Sequence, residues 1–263
     1  MIAVGRENST AIELSYEDHG AGVPVVLVHG FPLASEAWER QIPALLEEGH
    51  RVVAYDRRGF GRSSRPADGA GYDAFASDLN VLMTALDLHQ AVLVGHSLGT
   101  GDIMRYLRLY GSKRVSRVAL LAPLPPARLH SDKNAKSHCP SDDRYSWLSR
   151  LIADYYNLDA LLGARVSEEA VRYAWDAAAR DAPRAARYFT DAQESDFGAD
   201  LVGIGVPVLL VSAGADRLLP QAAGAIAAYL PISKVIEISH APHGMLWTHA
   251  AEVNAALLEF IDA

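Results

Sequence analysis

Residues 91–110 read Ala91-Val92-Leu93-Val94-Gly95-His96-Ser97-Leu98-Gly99-Thr100-Gly101-Asp102-Ile103-Met104-Arg105-Tyr106-Leu107-Arg108-Leu109-Tyr110. The run Ala91–Val94 is apolar, β-branched and short, which predicts a buried strand, and Thr100–Tyr110 has helical spacing. Between them Gly95-His96-Ser97-Leu98-Gly99 is a G-x-S-x-G turn. A nucleophilic serine at such an elbow needs a strained backbone to lift its Oγ above the sheet edge. The positions two before and two after crowd the turn, and a Cβ at either would clash, hence Gly95 and Gly99. The helix that follows aims its unpaired N–H groups and the positive end of its dipole at a developing oxyanion. The plainer reading is a glycine-rich turn with an idle serine. The position between strand and helix favours the nucleophile.

Outward from this turn, apolar runs recur at Val25–Val28, Arg51–Tyr55, Val115–Leu121, Val206–Val211 and Lys234–Ile238. Segments of helical spacing alternate with them: Ser35–Leu46, Tyr72–Leu86, Pro220–Leu230 and Ala250–Ile261. Strands alternating with helices predict a mostly parallel sheet covered on both faces. The first thirty residues read instead as two or three adjacent strands with a Gly20-Ala21-Gly22 turn, an antiparallel hairpin at one edge. From Ala122 to Leu201 no strand pattern is visible, only helical patterning rich in Ala, Leu, Tyr and Trp. A length of 263 residues lies between one domain and two. A core of residues 1–121 and 202–263, interrupted by a helical cap at 122–201, accounts for it.

A serine needs a base, and the base needs an orienting acid. In the fold that uses this elbow the chain order is serine, acid, histidine. Asp216 follows the strand at Val206–Ser212, at the sheet end where sites of open parallel sheets collect. His243 follows the strand Lys234–Ile238, where Gly244 lets the loop turn inward and Pro242 stiffens it. His240 is the rival base, and His240 with His243 as a zinc pair lacks further ligands at usable spacing. Asp191, Asp196 and Asp200 are rival acids, read as solvated faces of the cap.

The oxyanion hole needs two backbone donors. The amide of Leu98, directly after the nucleophile, supplies one. The loop His29-Gly30-Phe31-Pro32 after the strand Val25–Val28 supplies the other, assigned to Phe31, because Pro32 has no N–H. Asp56-Arg57-Arg58-Gly59-Phe60-Gly61-Arg62-Ser63 lacks the Lys-Ser/Thr of a phosphate loop and reads as a structural loop with its charges locked in hydrogen bonds. His130, His138 and Cys139 lack ligand spacing. Trp147, Tyr155, Tyr156, Leu161 and Trp175 are candidates for an acyl pocket between sheet edge and cap, core packing being the alternative for most of them.

Composition excludes partners rather than choosing one. Lys and Arg number 24 against 32 Asp and Glu, a net charge of −8, with no basic run. That argues against nucleic acid and anionic membranes. The longest apolar runs are far below the ~20 residues of a membrane span. One cysteine cannot close an internal disulfide, and Met1–Asp18 has no signal-peptide core, so the expectation is a cytoplasmic protein.

With these residues in place the chain resembles the serine α/β-hydrolases, and more narrowly the cofactor-free bacterial haloperoxidases with their aryl-esterase and perhydrolase relatives. The resemblance runs over nearly the whole length. Its narrowest signals are Trp38-Glu39-Arg40-Gln41, Tyr55-Asp56-Arg57-Arg58-Gly59-Phe60-Gly61, Gly99-Thr100-Gly101, Asp154-Tyr155-Tyr156-Asn157-Leu158, Ala241-Pro242-His243-Gly244 and Leu246-Trp247-Thr248-His249. It implies an eight-stranded, mostly parallel sheet with helices on both faces and a helical cap. It also implies Ser97 as nucleophile, Asp216 as acid, His243 as base, Phe31 and Leu98 at the oxyanion hole, and no cofactor or metal. Pro32, beside the oxyanion aromatic, is associated in this family with peracid formation, its imide setting a carbonyl that can help hold hydrogen peroxide.

Two departures stand out. The family usually has an aromatic before the serine and Met after it, where this chain has His96 and Leu98. The early cap, Ala127 to Asp143, is also shorter than usual. Both are expected to alter the pocket entrance. The implied activity is hydrolysis of a small acyl substrate, with hydrogen peroxide as an alternative acceptor giving a peracid that oxidises halide. An amidase, lactonase or lactamase using the same residues is an alternative, as is a ligand-binding receptor of slow turnover. Relatives form rings, and the apolar content of the chain permits a homo-oligomer.

Overall fold

The computed structural model describes residues 1–31, 33–67, 71–126, 143–180, 195–219 and 222–263. Its centre is a seven-stranded sheet of β3 (Tyr16–His19), β4 (Pro24–Val28), β5 (Arg51–Tyr55), β6 (Ala91–His96), β7 (Val115–Leu121), β8 (Val208–Ala213) and β9 (Ser233–Ile238). The order across it is β3-β5-β4-β6-β7-β8-β9. Every pairing is parallel except β3 with β5. Successive residues of a strand point to opposite faces, yet Val25, Val26, Leu27 and Val28 are all buried, as are all six residues of β6. Only a sheet covered on both sides produces unbroken apolar runs of this kind.

Among the described residues the sheet has one strand fewer than the eight expected. β1 (Ile2–Glu7) and β2 (Thr10–Leu14) form their own antiparallel pair. The chain parts from it at Ser15, whose N–H is taken by the Ser63 hydroxyl at 2.8 Å and whose carbonyl accepts the Asp56 N–H at 2.9 Å. Nor does the Gly20–Gly22 turn close a hairpin, because β5 lies between β3 and β4.

Helices α1 (Ile42–Glu47), α2 (Tyr72–Ala85) and α3 (Leu98–Tyr110) connect the first strands. The expected helix Ser35–Leu46 is broken into a 3-10 turn, Ser35–Trp38, and α1, with Pro43 inside the first turn of α1, where a missing N–H costs nothing. All the described regular elements between β7 and β8 are helical apart from a single bridge, Leu162 with Val166: α4 (Arg144–Tyr156), α5 (Leu158–Leu161), α6 (168–180) and α7 (Gly198–Leu201). The chain ends through α8 (Ala222–Ala227), α9 (Met245–Thr248) and α10 (Ala250–Ile261). Among the described residues no helix is long and apolar enough to cross a membrane.

The loop after β5 is held as its composition suggests. Asp56 accepts the N–H groups of Ser35 at 2.9 Å and Arg62 at 2.8 Å. Arg57 grips Asp102 of α3 at 2.6 and 2.8 Å, and Arg58 grips Asp78 of α2. Burial drives the Asp102 carboxyl up to about 6 even beside that guanidinium. These buried pairs bolt the loop to the two helices flanking the serine turn.

Candidate active site

Ser97 stands between β6 and α3 with φ +53° and ψ −123°, a left-handed conformation that a residue with a Cβ adopts only under constraint. The constraint is visible. Its N–H is bound to the Leu121 carbonyl at 3.0 Å, and its carbonyl accepts the Thr100 hydroxyl at 2.6 Å. Around it the glycines are required by contact. A Cβ on Gly99 would stand 2.4 Å from the Val28 carbonyl oxygen, and one on Gly95 would stand 2.8 Å from Ile103 Cδ1. A Cβ on Gly30 would lie 2.7 Å from both the His96 oxygen and Ser97 Cβ, so the loop after β4 rests directly on the turn.

The structure brings Ser97, His243 and Asp216 together from three loops. His243 Nε2 is 2.8 Å from Ser97 Oγ, and its Nδ1 is 2.7 Å from Asp216 Oδ2. The other carboxylate oxygen of Asp216 accepts the N–H groups of Leu218 at 2.7 Å and Leu219 at 2.9 Å. Burial alone would raise this carboxyl. The neighbouring His243 imidazole and its hydrogen bond, with the two amides, override it and hold the group below the usual carboxylate range. An ionised Asp216 accepts at Nδ1–H, so His243 carries its proton on Nδ1 and presents a lone pair to Ser97.

The two amides expected to hold an oxyanion belong to Leu98, directly after the serine, and to Phe31, directly after the Gly30 that packs on the serine turn. Leu98 is the first residue of α3, where the N–H has no acceptor within the helix. Phe31 follows Gly30, and the orientation of that peptide is set by His29. The N–H of Arg57 donates to His29 Nε2 at 3.0 Å, so Nδ1 bears the proton and donates to the Gly30 carbonyl at 2.8 Å. In a trans peptide the Phe31 N–H then points the opposite way, away from His29. Burial keeps His29 neutral, its pKa lowered to about 4.

Of the residues expected to line an acyl pocket, Trp147 meets the Phe31 ring at 6.3 Å between centroids, and Tyr155 stands edge-on to His243 at 5.4 Å. Trp175 instead stacks on Tyr145 at 5.7 Å, a contact between α6 and α4. Tyr156 and Leu161 also pack on the core. Pro32, His130, His138, Cys139, Asp191 and nearly all of the early cap fall outside the described residues. His240 is exposed at φ +61°, while His243 is buried on Ser97. Asp200 is not a solvated residue: it is buried and receives Arg105 at 2.9 Å, because α7 folds back onto α3. Asp196 is exposed and accepts the Gly198 N–H at 2.9 Å.

His96 also departs from expectation. It does not line an entrance: it is buried, with Nε2 3.0 Å from the His243 carbonyl oxygen, because the last residue of β6 points into the core beside the histidine loop. Asn157 is a further residue of consequence. It ends α4 in the left-handed region at φ +51° and donates from Nδ2 to the Ala215 carbonyl at 2.9 Å, next to Asp216. An asparagine after a helical apolar stripe is the signal that marks such a cap.

A family model described as alpha/beta hydrolase fold matches residues 23–250. Over 99% of both chains the sequence is 43% identical to a protein of Synechocystis sp. provisionally named a non-heme chloroperoxidase. It is 33% identical to a bifunctional esterase/perhydrolase of Acinetobacter calcoaceticus, over 95% of this chain and 96% of that one. Among solved structures, a bromoperoxidase from Bacillus anthracis superposes with a TM-score of 0.91 at 36% identity, covering 99% of this chain and 98% of the other.

Proposed function

This chain belongs to the α/β-hydrolase fold family, and from that premise we propose that it is a serine-dependent acyl hydrolase, a carboxylesterase that also transfers acyl groups to hydrogen peroxide. The observation that carries the reading is the relay from Asp216 through His243 to Ser97, at 2.7 and 2.8 Å, on a serine held at positive φ.

Ser97 Oγ attacks the acyl carbon of an ester while His243 Nε2 takes its proton, and Asp216 stabilises the imidazolium. The oxyanion forms against the amides of Leu98 and Phe31. Collapse expels the alcohol, protonated by His243, and leaves an acyl-serine. Water, deprotonated by His243, then releases the carboxylic acid. Hydrogen peroxide in the same place releases a peracid, which oxidises halide in solution: peracid, halide and a proton give carboxylic acid and hypohalous acid. Haloperoxidation is on this reading the outcome of acyl transfer. On this reading the helices after β7 cap the acyl pocket, with Trp147 against the Phe31 ring and Tyr155 against His243.

The test is hydrolysis of a chromogenic acetate ester, and bromination of an acceptor in acetate, hydrogen peroxide and bromide, by the parent and by Ser97→Ala. Loss of both activities by at least ~10³-fold in the variant is expected. Equal bromination by Ser97→Ala would overturn the peracid route, and binding of ester without turnover by the parent would favour a receptor.

A further inference from the structure

We propose that His96 is a positioning residue for the base, acting through the His243–Gly244 peptide; this rests on the role of His243 proposed above. The His96 side chain donates from Nε2 to the His243 carbonyl oxygen at 3.0 Å. The next N–H, that of Gly244, donates to the Tyr155 carbonyl of α4 at 2.7 Å. The acceptor and the donor are the two ends of a single planar peptide group. One end is gripped from the nucleophile's own strand, the other from the cap.

A rigid plane held at both ends cannot rotate, and it is bonded directly to the His243 Cα. The base of its side chain is therefore fixed before the ring nitrogens meet Asp216 and Ser97. The close fit extends to the side chains. A Cβ on Gly244 would stand 2.6 Å from the Tyr155 ring, and the His96 and His243 rings lie 5.0 Å apart. A carbonyl oxygen only accepts, so His96 must bear its proton on Nε2. Burial, with His243 alongside, keeps the ring neutral and its pKa near 3, so the donor does not compete with the imidazolium formed during turnover. A phenylalanine ring in this position fills the space but offers the carbonyl no donor, whereas a glutamine amide does.

The experiment compares His96→Phe and His96→Gln with the parent and with Ser97→Ala, by ester kcat and KM and by the rate of fluorophosphonate labelling. Thermal unfolding confirms that each variant is folded. His96→Phe is expected to lose about tenfold in kcat and in labelling rate with KM within about twofold, and His96→Gln to stay within about threefold of the parent. A role in packing alone makes the two variants fall together, or spares the ring-for-ring exchange, and either outcome overturns the proposal. If His96→Phe is unfolded at the assay temperature, His96→Met carries the same comparison. Unchanged kcat in His96→Phe with an inactive Ser97→Ala removes this inference alone, whereas an active Ser97→Ala removes the function on which it rests.

Discussion

Asn157 Nδ2 donates to the Ala215 carbonyl across 58 residues of chain, joining the end of α4 to the loop that carries Asp216. The bond comes from a residue that also ends its helix in the left-handed region, at φ +51°. Two energies are therefore stacked on one side chain. Asn157→Gly keeps the backbone at ease and loses the hydrogen bond, an expected loss of about 1 kcal/mol. Asn157→Ala loses the bond and strains the backbone as well, about 2 kcal/mol in all. Urea unfolding of the pair checks the order, and equal stabilities for Gly and Ala would show that the backbone is not strained there.

Asp216→Asn gives a sharper result than removal of the carboxylate. The N–H groups of Leu218 and Leu219 hold one side-chain oxygen, so an amide in this place keeps its oxygen there and turns its NH2 toward His243 Nδ1. That nitrogen must then accept, and the proton moves to Nε2, where the base needs a lone pair. A fall in kcat of about 10⁴-fold with unchanged stability is expected, as for an inverted tautomer in other serine hydrolases. Steady-state ester kinetics beside a thermal melt measure both, and a variant within tenfold of the parent would contradict the assignment.

Acid should weaken the fold from just below neutrality, for a reason placed in two buried imidazoles. In the unfolded chain each histidine takes a proton near 6.5. In the fold His29 does so only near 4 and His96 near 3, both through burial. Below about 6.5 the unfolded chain therefore binds more protons, and the stability present above that pH is lost as pH falls toward 4 and 3. Asp102, raised to about 6, works in the opposite direction between that value and the ordinary aspartate range near 4. The contribution of His96 is isolated by His96→Gln. The slope of stability against pH between 6 and 4 should become shallower by about 1.4 kcal/mol per pH unit, measured by urea titration at several pH values. An unchanged slope would mean that His96 is already protonated in the fold.

Much of the architecture was legible because parallel strands buried on both faces leave continuous apolar runs. Val25–Val28, Ala91–Val94 and Val115–Leu121 announce themselves in this way. Pairing partners are another matter. Nothing in Tyr16–His19 states that β5, rather than the adjacent β4, lies beside it, since periodicity reports a strand and not its neighbour. That Ser97, Asp216 and His243 come together was legible through chain order and turn chemistry. The places of His96 and Asn157 were not. Each binds a main-chain carbonyl far away in sequence, and a carbonyl is the same at every residue, so no pattern of side chains records the partner.

The three glycines around Ser97 bear on how such a protein can change. Gly30, Gly95 and Gly99 are each closed by backbone or core atoms at less than 3 Å from where a Cβ would go. These three positions thus admit no side chain without displacing backbone or core atoms, and a working descendant keeps them as glycine. Diversification is left to the side chains that pack against this turn from α4, where Trp147 meets the Phe31 ring. A lineage built on this plan can exchange one acyl group for another while its chemistry stays still, and libraries aimed at new substrates belong in α4 and α6 rather than at the serine turn.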